Sequence, residues 1–204
     1  MSLKDYITSE AIRLYAHNGI KRVSMDDVAR KAGVSKRTLY DFFEDKESLL
    51  IAVLNKIHEP FIEQIDVLDK RSDTALEMIL LLNEKMMEKP VWLCKDFLED
   101  IRRYPKAFQN MVENKHSFLK KLIELLKRGE KESVFMSDID YDLISLVAQQ
   151  QMSDMAYPEV FSKYTQEEVH NTIFFIFLRG ICTDSGRDII DKFMVKKNYK
   201  LKIM

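Results

Sequence analysis

With 204 residues, 46% of them hydrophobic and 32% charged, the chain can bury a core in one large domain or two modest ones. Its net charge of -1 excludes a wholesale nucleic-acid coat protein, although a whole-chain average conceals any local basic patch. Five glycines and four prolines are few helix breakers for this length, which points to an all-α fold. Cys94 and Cys182 lie far apart without CxxC spacing, so neither a disulfide framework nor a zinc site is expected. The opening "MSLKDYITSE" lacks an apolar signal core, and the most apolar run, "TIFFIFL" (172–178), is shorter than a membrane span. A soluble, cytoplasmic helical protein is the expectation.

The first helix should start after Ser2, with Asp5 completing a capping box and Gly19 as a left-handed stop. Ile7, Ala11, Leu14 and Tyr15 form its apolar stripe. Ser24 then reads as an N-cap, with Asp27 at the third helical position and Val23 and Val28 at staple spacing. Gly33 ends that short helix. Ser35 caps the next, between Val34 and Leu39, and Asp45 caps a longer segment through Leu49, Leu50, Val53 and Leu54. Three short helices with a tight glycine turn between the second and third make a helix-turn-helix layout.

Further along, Pro60 is expected to kink or break the fourth helix. Breaks follow near Ser72–Asp73, Pro90, Pro105, Gly129–Glu130 and Pro158. Residues 107–128 show a clean 3.6-residue period, and the segment from Thr165 to Gly180 is apolar almost all round, so it must be covered on more than one face. The end, "VKKNYKLKIM", has lost periodicity and reads as a basic tail.

Charge is not evenly spread. Between Lys21 and Arg37 the cations Lys21, Arg22, Arg30, Lys31, Lys36 and Arg37 face only Asp26 and Asp27 as acids. If Leu39 and Phe43 face the core, the third helix displays Lys36, Arg37 and Tyr40 outward. A helix exposing cations at its N-terminal end suits a major groove, where Arg or Lys reaches guanine O6 and N7. Ser24, Ser35, Thr38, Tyr40 and Lys46 suit phosphates, which fix register while base edges give specificity.

The stretch "SMDDVARKAGVSKRTLYDFFEDKESLL" (24–50) closely resembles the signature of the TetR family of bacterial transcriptional regulators. Val28, Ala29, Ala32, Gly33, Val34, Ser35, Leu39, Tyr40, Phe43 and Lys46 all fall in register. The resemblance covers about the first fifty residues. It implies a three-helix DNA-binding head (residues 1–47) with a helix-turn-helix, and a helical-bundle body (48–204) for effector binding and dimerisation. It also implies that Ser24, Ser35, Thr38, Tyr40 and Lys46 contact phosphates, with Lys36 and Arg37 near bases of an operator duplex. Arg37 stands where the family very often has glycine, and Phe42 where a phosphate-bonding tyrosine or histidine is common.

For the body, an apolar small-molecule effector is expected between middle helices, near Met86, Trp92, Phe97, Phe108, Met111 and Phe118, with Met152 and Met155 opposite. Gln151 lies on the stripe Ile144, Val147, Gln151, Met155, where a buried amide must find a partner. Val169, Ile173, Phe174, Ile176 and Phe177, with segment 139–155, are the candidate homodimer interface. His17, His58, His116 and His170 form no HExxH pattern, and no GxSxG or glycine-rich phosphate loop is present. No catalytic residue, metal ligand or cofactor is therefore expected. Two other readings are a helical protein-interaction module that keeps the head as scaffold, which would show no salt-dependent DNA binding, and a helical enzyme, which would show turnover.

Overall fold

The structure, a computed structural model, describes residues 1–69, 71–88, 93–154 and 161–197, with the side chains of 60–63, 66 and 152–154 outside that description. The regular elements among the described residues are helical, and by their packing they divide into two units. The first comprises Met1–Pro60 and Val91–His116, the second Phe61–Pro90 and Ser117–Met204. This boundary follows packing, and is separate from the division by role expected at residue 47.

The first unit holds α1 (Leu3–Asn18), α2 (Met25–Lys31), α3 (Lys36–Phe42), the start of α4 (Lys46–Asp69), α6 (Lys95–Asp100), a 3-10 turn (Ile101–Arg103) and the start of α7 (Pro105–Lys131). Local chemistry sets the starts. Ser2 and Asp5 exchange hydrogen bonds as a capping box, and Ser24 and Asp27 do the same for α2. Asp45 accepts from the Ser48 N–H at 2.7 Å to open α4. Gly19 and Gly33 adopt φ of +76° and +65°, the conformation that a tight stop after α1 and α2 requires. Ile7, Ala11, Tyr15, Leu39, Leu49, Leu50 and Val53 form the core, joined by Phe97 and Ile101. The Cys94 N–H donates to the Ala16 carbonyl at 3.1 Å, and the Lys21 N–H to Asp100 at 2.7 Å, which ties α6 and its 3-10 turn to the end of α1.

The second unit contains α5 (Ala75–Glu88), α8 (Tyr141–Asp154), α9 (Gln166–Ile181) and α10 (Asp184–Lys196), with the far parts of α4 and α7. Leu76, Met78, Leu80, Phe135, Phe175, Leu178 and Ile190 fill its core. A capping box of Thr165 and Glu168 starts α9. Beyond α7 the chain turns at Ser133 (φ 59°) and lays Phe135 beside Cys182. There the Met136 N–H donates to the Ile181 carbonyl at 2.9 Å and the Thr183 N–H to the Val134 carbonyl at 3.1 Å.

Several expectations change. α4 runs unbroken through Pro60, because losing one backbone donor does not outweigh the hydrogen bonds and packing on either side. α7 continues past Gly129 to Lys131. That glycine serves close approach, since a Cβ there would lie 2.3 Å from Cδ2 of Phe135. Among the described side chains of α8, Tyr141 and Ser145 are buried and Ile144 packs against the core, while Val147 and Gln151 are exposed, so the expected stripe leaves this unit's core after Ile144. Pro105 does mark a boundary, at the first position of α7. Pro90, Pro158 and the tail from 198 lie outside the described residues.

One polar pair crosses the second unit. His170 Nε2 lies 2.8 Å from Asn83 Oδ1, with the imidazole stacked on Phe174. Burial lowers the His170 pKa to about 4. In the unfolded chain an imidazole titrates near ~6.5, so between these values the unfolded state binds more protons. The stabilisation from neutral His170 is therefore complete above pH ~6.5 and fades as pH falls toward about 4. Replacing His170 with glutamine should flatten this part of the stability profile by about 3 kcal/mol. Urea unfolding of both proteins from pH 7 to 4 measures it, and parallel profiles would contradict it.

Candidate nucleic-acid interface

Three constraints place α3. Gly33 turns the chain after α2, and the Val34 N–H returns to the Ala29 carbonyl at 3.0 Å. Ser35 then caps α3, its Oγ accepting from the Thr38 N–H at 3.0 Å and lying 2.8 Å from the Thr38 hydroxyl. Finally, Leu39 and Phe43 enter the core with 0% and 2% of their surface exposed. Unlike α1 and α2, the first turn of α3 carries no carboxylate, because Thr38 stands where a capping box places an acid.

The remaining face of α3 is outward. Arg37 is exposed, with no hydrogen bond or ion pair among the described residues. Tyr40 is 42% and Phe42 39% exposed. Lys36 is paired with Asp26 at 2.8 Å, both side chains more than half exposed, and this hydrogen bond raises the Lys36 pKa. Such a pair is screened by solvent and contributes little to stability, so Lys36 can exchange Asp26 for another anion at small cost. Ser24 sits at the start of α2 with its hydroxyl bonded to Asp27.

Lys46 is placed differently from its neighbours. Its ammonium donates to the Ile20 carbonyl at 2.6 Å and lies 5.9 Å from the ring centroids of both Tyr15 and Tyr104. Burial lowers its pKa, with Asp100 and Asp27 acting in the opposite sense. The sequence places Lys46 one residue past a helix cap, but its partner lies 26 residues earlier and is invisible to spacing.

Residues 7–53 match the sequence model described as bacterial regulatory proteins, tetR family. That match spans the whole helix-turn-helix region, from α1 to the start of α4. The chain is 32% identical over 79 residues to the fatty acid metabolism regulator protein of Bacillus subtilis (strain 168), covering 39% of this chain and 41% of that relative's length. Among solved structures, a TetR-family transcriptional regulator from Agrobacterium tumefaciens superposes with a TM-score of 0.74 at 14% identity, over 89% of this chain and 98% of that one. The regulator FadR from Bacillus subtilis, solved in complex with stearoyl-CoA, gives 0.65 at 21% identity, over 87% and 98%. At these identities the two structures establish a shared fold.

The residues expected at an effector pocket fall into both units. Phe97 is fully buried in the core of the first, and Phe108 and Met111 pack against that core. Phe118 packs against the core of the second, while Met86 and Gln151 are exposed. Trp92, Met155 and the side chain of Met152 lie outside the described residues. A cleft of about 400 Å³ in the first unit is lined by Lys21, Arg22, Asp96, Glu99, Asp100 and Arg103, all charged, and so does not suit an apolar molecule.

Of the expected interface residues, Val169 is buried within the second unit and Phe174 packs against its core. Ile173 and Phe177 are half-buried, and Ile176 is 57% exposed. Ile173, Ile176 and Phe177 share one face of α9, being three and four residues apart. The adjoining α8 exposes Leu143, Leu146 and Val147.

The environment of Lys46 predicts a stability effect without DNA. Lys46→Met keeps the aliphatic stem and removes the ammonium, leaving the Ile20 carbonyl without its donor. The unfolding free energy, measured by urea denaturation, should fall by roughly 1–2 kcal/mol. An unchanged value would show that this bond carries no net weight.

Proposed function

We propose that this protein is a dimeric, ligand-responsive transcriptional regulator that acts as a repressor by occupying a near-palindromic operator. Residues 1–47 are its DNA-binding domain and 48–204 its effector-binding and dimerisation domain. The observation that carries the reading is α3, seated by Leu39 and Phe43 so that Arg37, Lys36 and Tyr40 face outward. Arg37 and Lys36 address base edges in the major groove. Ser24, Ser35, Thr38 and Tyr40 bind phosphates and set the register. Lys46 joins them by giving up the Ile20 carbonyl for a phosphate, an exchange of one charge-assisted hydrogen bond for another.

The dimer forms through the apolar face of α8 and α9, where Leu143, Leu146, Val147 and Ile176 expose more hydrophobic surface than a solvated helix pair requires. Two copies related by a two-fold axis then present two α3 helices to half-sites about 34–36 Å apart, or a multiple of that. The effector is a largely apolar small molecule, and the acyl chain of the stearoyl-CoA bound to FadR is an apolar group of that kind. It acts by binding better to a conformation whose heads no longer match the operator. With no described helix long and apolar enough to cross a membrane, the protein is proposed to work on DNA in the cytoplasm.

Selection from a randomised duplex pool at fixed, near-physiological salt tests this reading. The wild-type protein should enrich a two-fold-symmetric site. Arg37→Ala should weaken binding to that site by roughly 1–3 kcal/mol and relax the preference at one base pair per half-site. No enrichment by a folded dimer would overturn the regulator reading, and equal losses on selected and random DNA would remove Arg37 as a reader.

A further inference from the structure

A carboxylate stands in the middle of the proposed DNA-facing surface, where repulsion from phosphates ought to exclude one. Successive residues of a helix turn by about 100°, so Asp41, two positions from both Leu39 and Phe43, points away from the core they enter. Arg37 lies four residues before it, on the same face. Asp41 is exposed and makes no hydrogen bond or ion pair among the described residues. That distinguishes it from nearly every other acid of the first 47 residues. Asp5 and Asp27 close capping boxes, Glu10 holds Arg13, Asp26 holds Lys36, Asp45 caps α4, and Glu47 accepts from the Lys106 N–H. Glu44 is unengaged among the described residues too, but it lies beyond the last residue of α3.

Asp41 does not close onto Arg37, although the two are at i, i+4 spacing. Cation-before-acid is the weaker orientation of such a pair, which leaves both groups available.

We infer that Asp41 is a specificity-determining residue, accepting a hydrogen bond from the exocyclic amino group of a cytosine in the major groove. The inference rests on the DNA-binding reading above. Cytosine N4 is the major-groove donor that a carboxylate suits, just as guanine O6 and N7 suit Arg37. The two side chains are about one helical turn apart, close enough to address the same or neighbouring base pairs. Asp41 acts chiefly by exclusion. On any sequence without an amino group at that position, its charge is left against an acceptor-rich edge and the surrounding phosphates, and binding weakens. It thus lowers affinity for DNA in general and restores it at one base pair.

The same duplex selection, run with wild type, Asp41→Ala and Asp41→Asn, tests this directly. The wild-type site should show cytosine at one position per half-site, beside the pair that loses definition in Arg37→Ala. Asp41→Ala should reduce the preference at the cytosine position about tenfold or more, and raise affinity for random duplex at the same salt. Asp41→Asn, which keeps the shape if the alanine variant folds poorly, should shift the preference toward adenine. Selected sites identical to wild type in both variants would overturn the role of Asp41 while leaving the regulator reading intact. A wild-type protein that enriches no site would overturn that reading and this inference together.

Discussion

Everything proposed for this protein depends on how firmly α3 is seated. The helix has only seven residues, too few to be stable in water alone. It persists because Leu39 and Phe43 are closed into a core built by α1, α2 and α4, and because Ser35 and Gly33 fix its entry. Burying two large apolar side chains contributes several kcal/mol, on the order of 1.5–3 each. That offsets part of the cost of ordering a seven-residue segment, and the caps and backbone hydrogen bonds of α3 contribute further. Arg37, Tyr40 and Asp41 can therefore be given over to recognition. Lys46 supports the same arrangement from the far side, holding the start of α4 to the turn after α1.

Much of the first unit was legible in the sequence because its signals are local. A serine with an aspartate three residues on encodes a capping box, and Ser2–Asp5 and Ser24–Asp27 close as the spacing implies. A glycine where the apolar period stops encodes a positive φ, as at Gly19 and Gly33. What escaped is non-local. Nothing near Lys46 indicates that its partner is the Ile20 carbonyl, nor does Phe97 announce that α6 returns to pack on α1. Gly129 reads as a breaker, yet its missing side chain makes room for a ring six residues later.

In the second unit, apolar residues occur on more than one side of α8 and α9, so periodicity alone cannot tell a core face from an outward one. Exposure separates them. Phe175 and Leu178 turn into the unit, while Ile176 and Leu143 remain 57% and 59% exposed. The proposed effector site was the least legible. An apolar pocket and an ordinary core draw on the same residue types, and Phe97 and Phe118 are both accounted for by their cores.

The central claim is that α3 lies in the major groove of a two-fold-symmetric site, and methylation interference tests it most directly. Duplexes carrying a selected site would be lightly treated with dimethyl sulfate, which modifies guanine N7 in the major groove and adenine N3 in the minor groove. The account predicts that N7 methylation at symmetry-related guanines in both half-sites abolishes binding. Indifference to N7 methylation, with loss of binding on N3 methylation, would place the contact in the minor groove and contradict it.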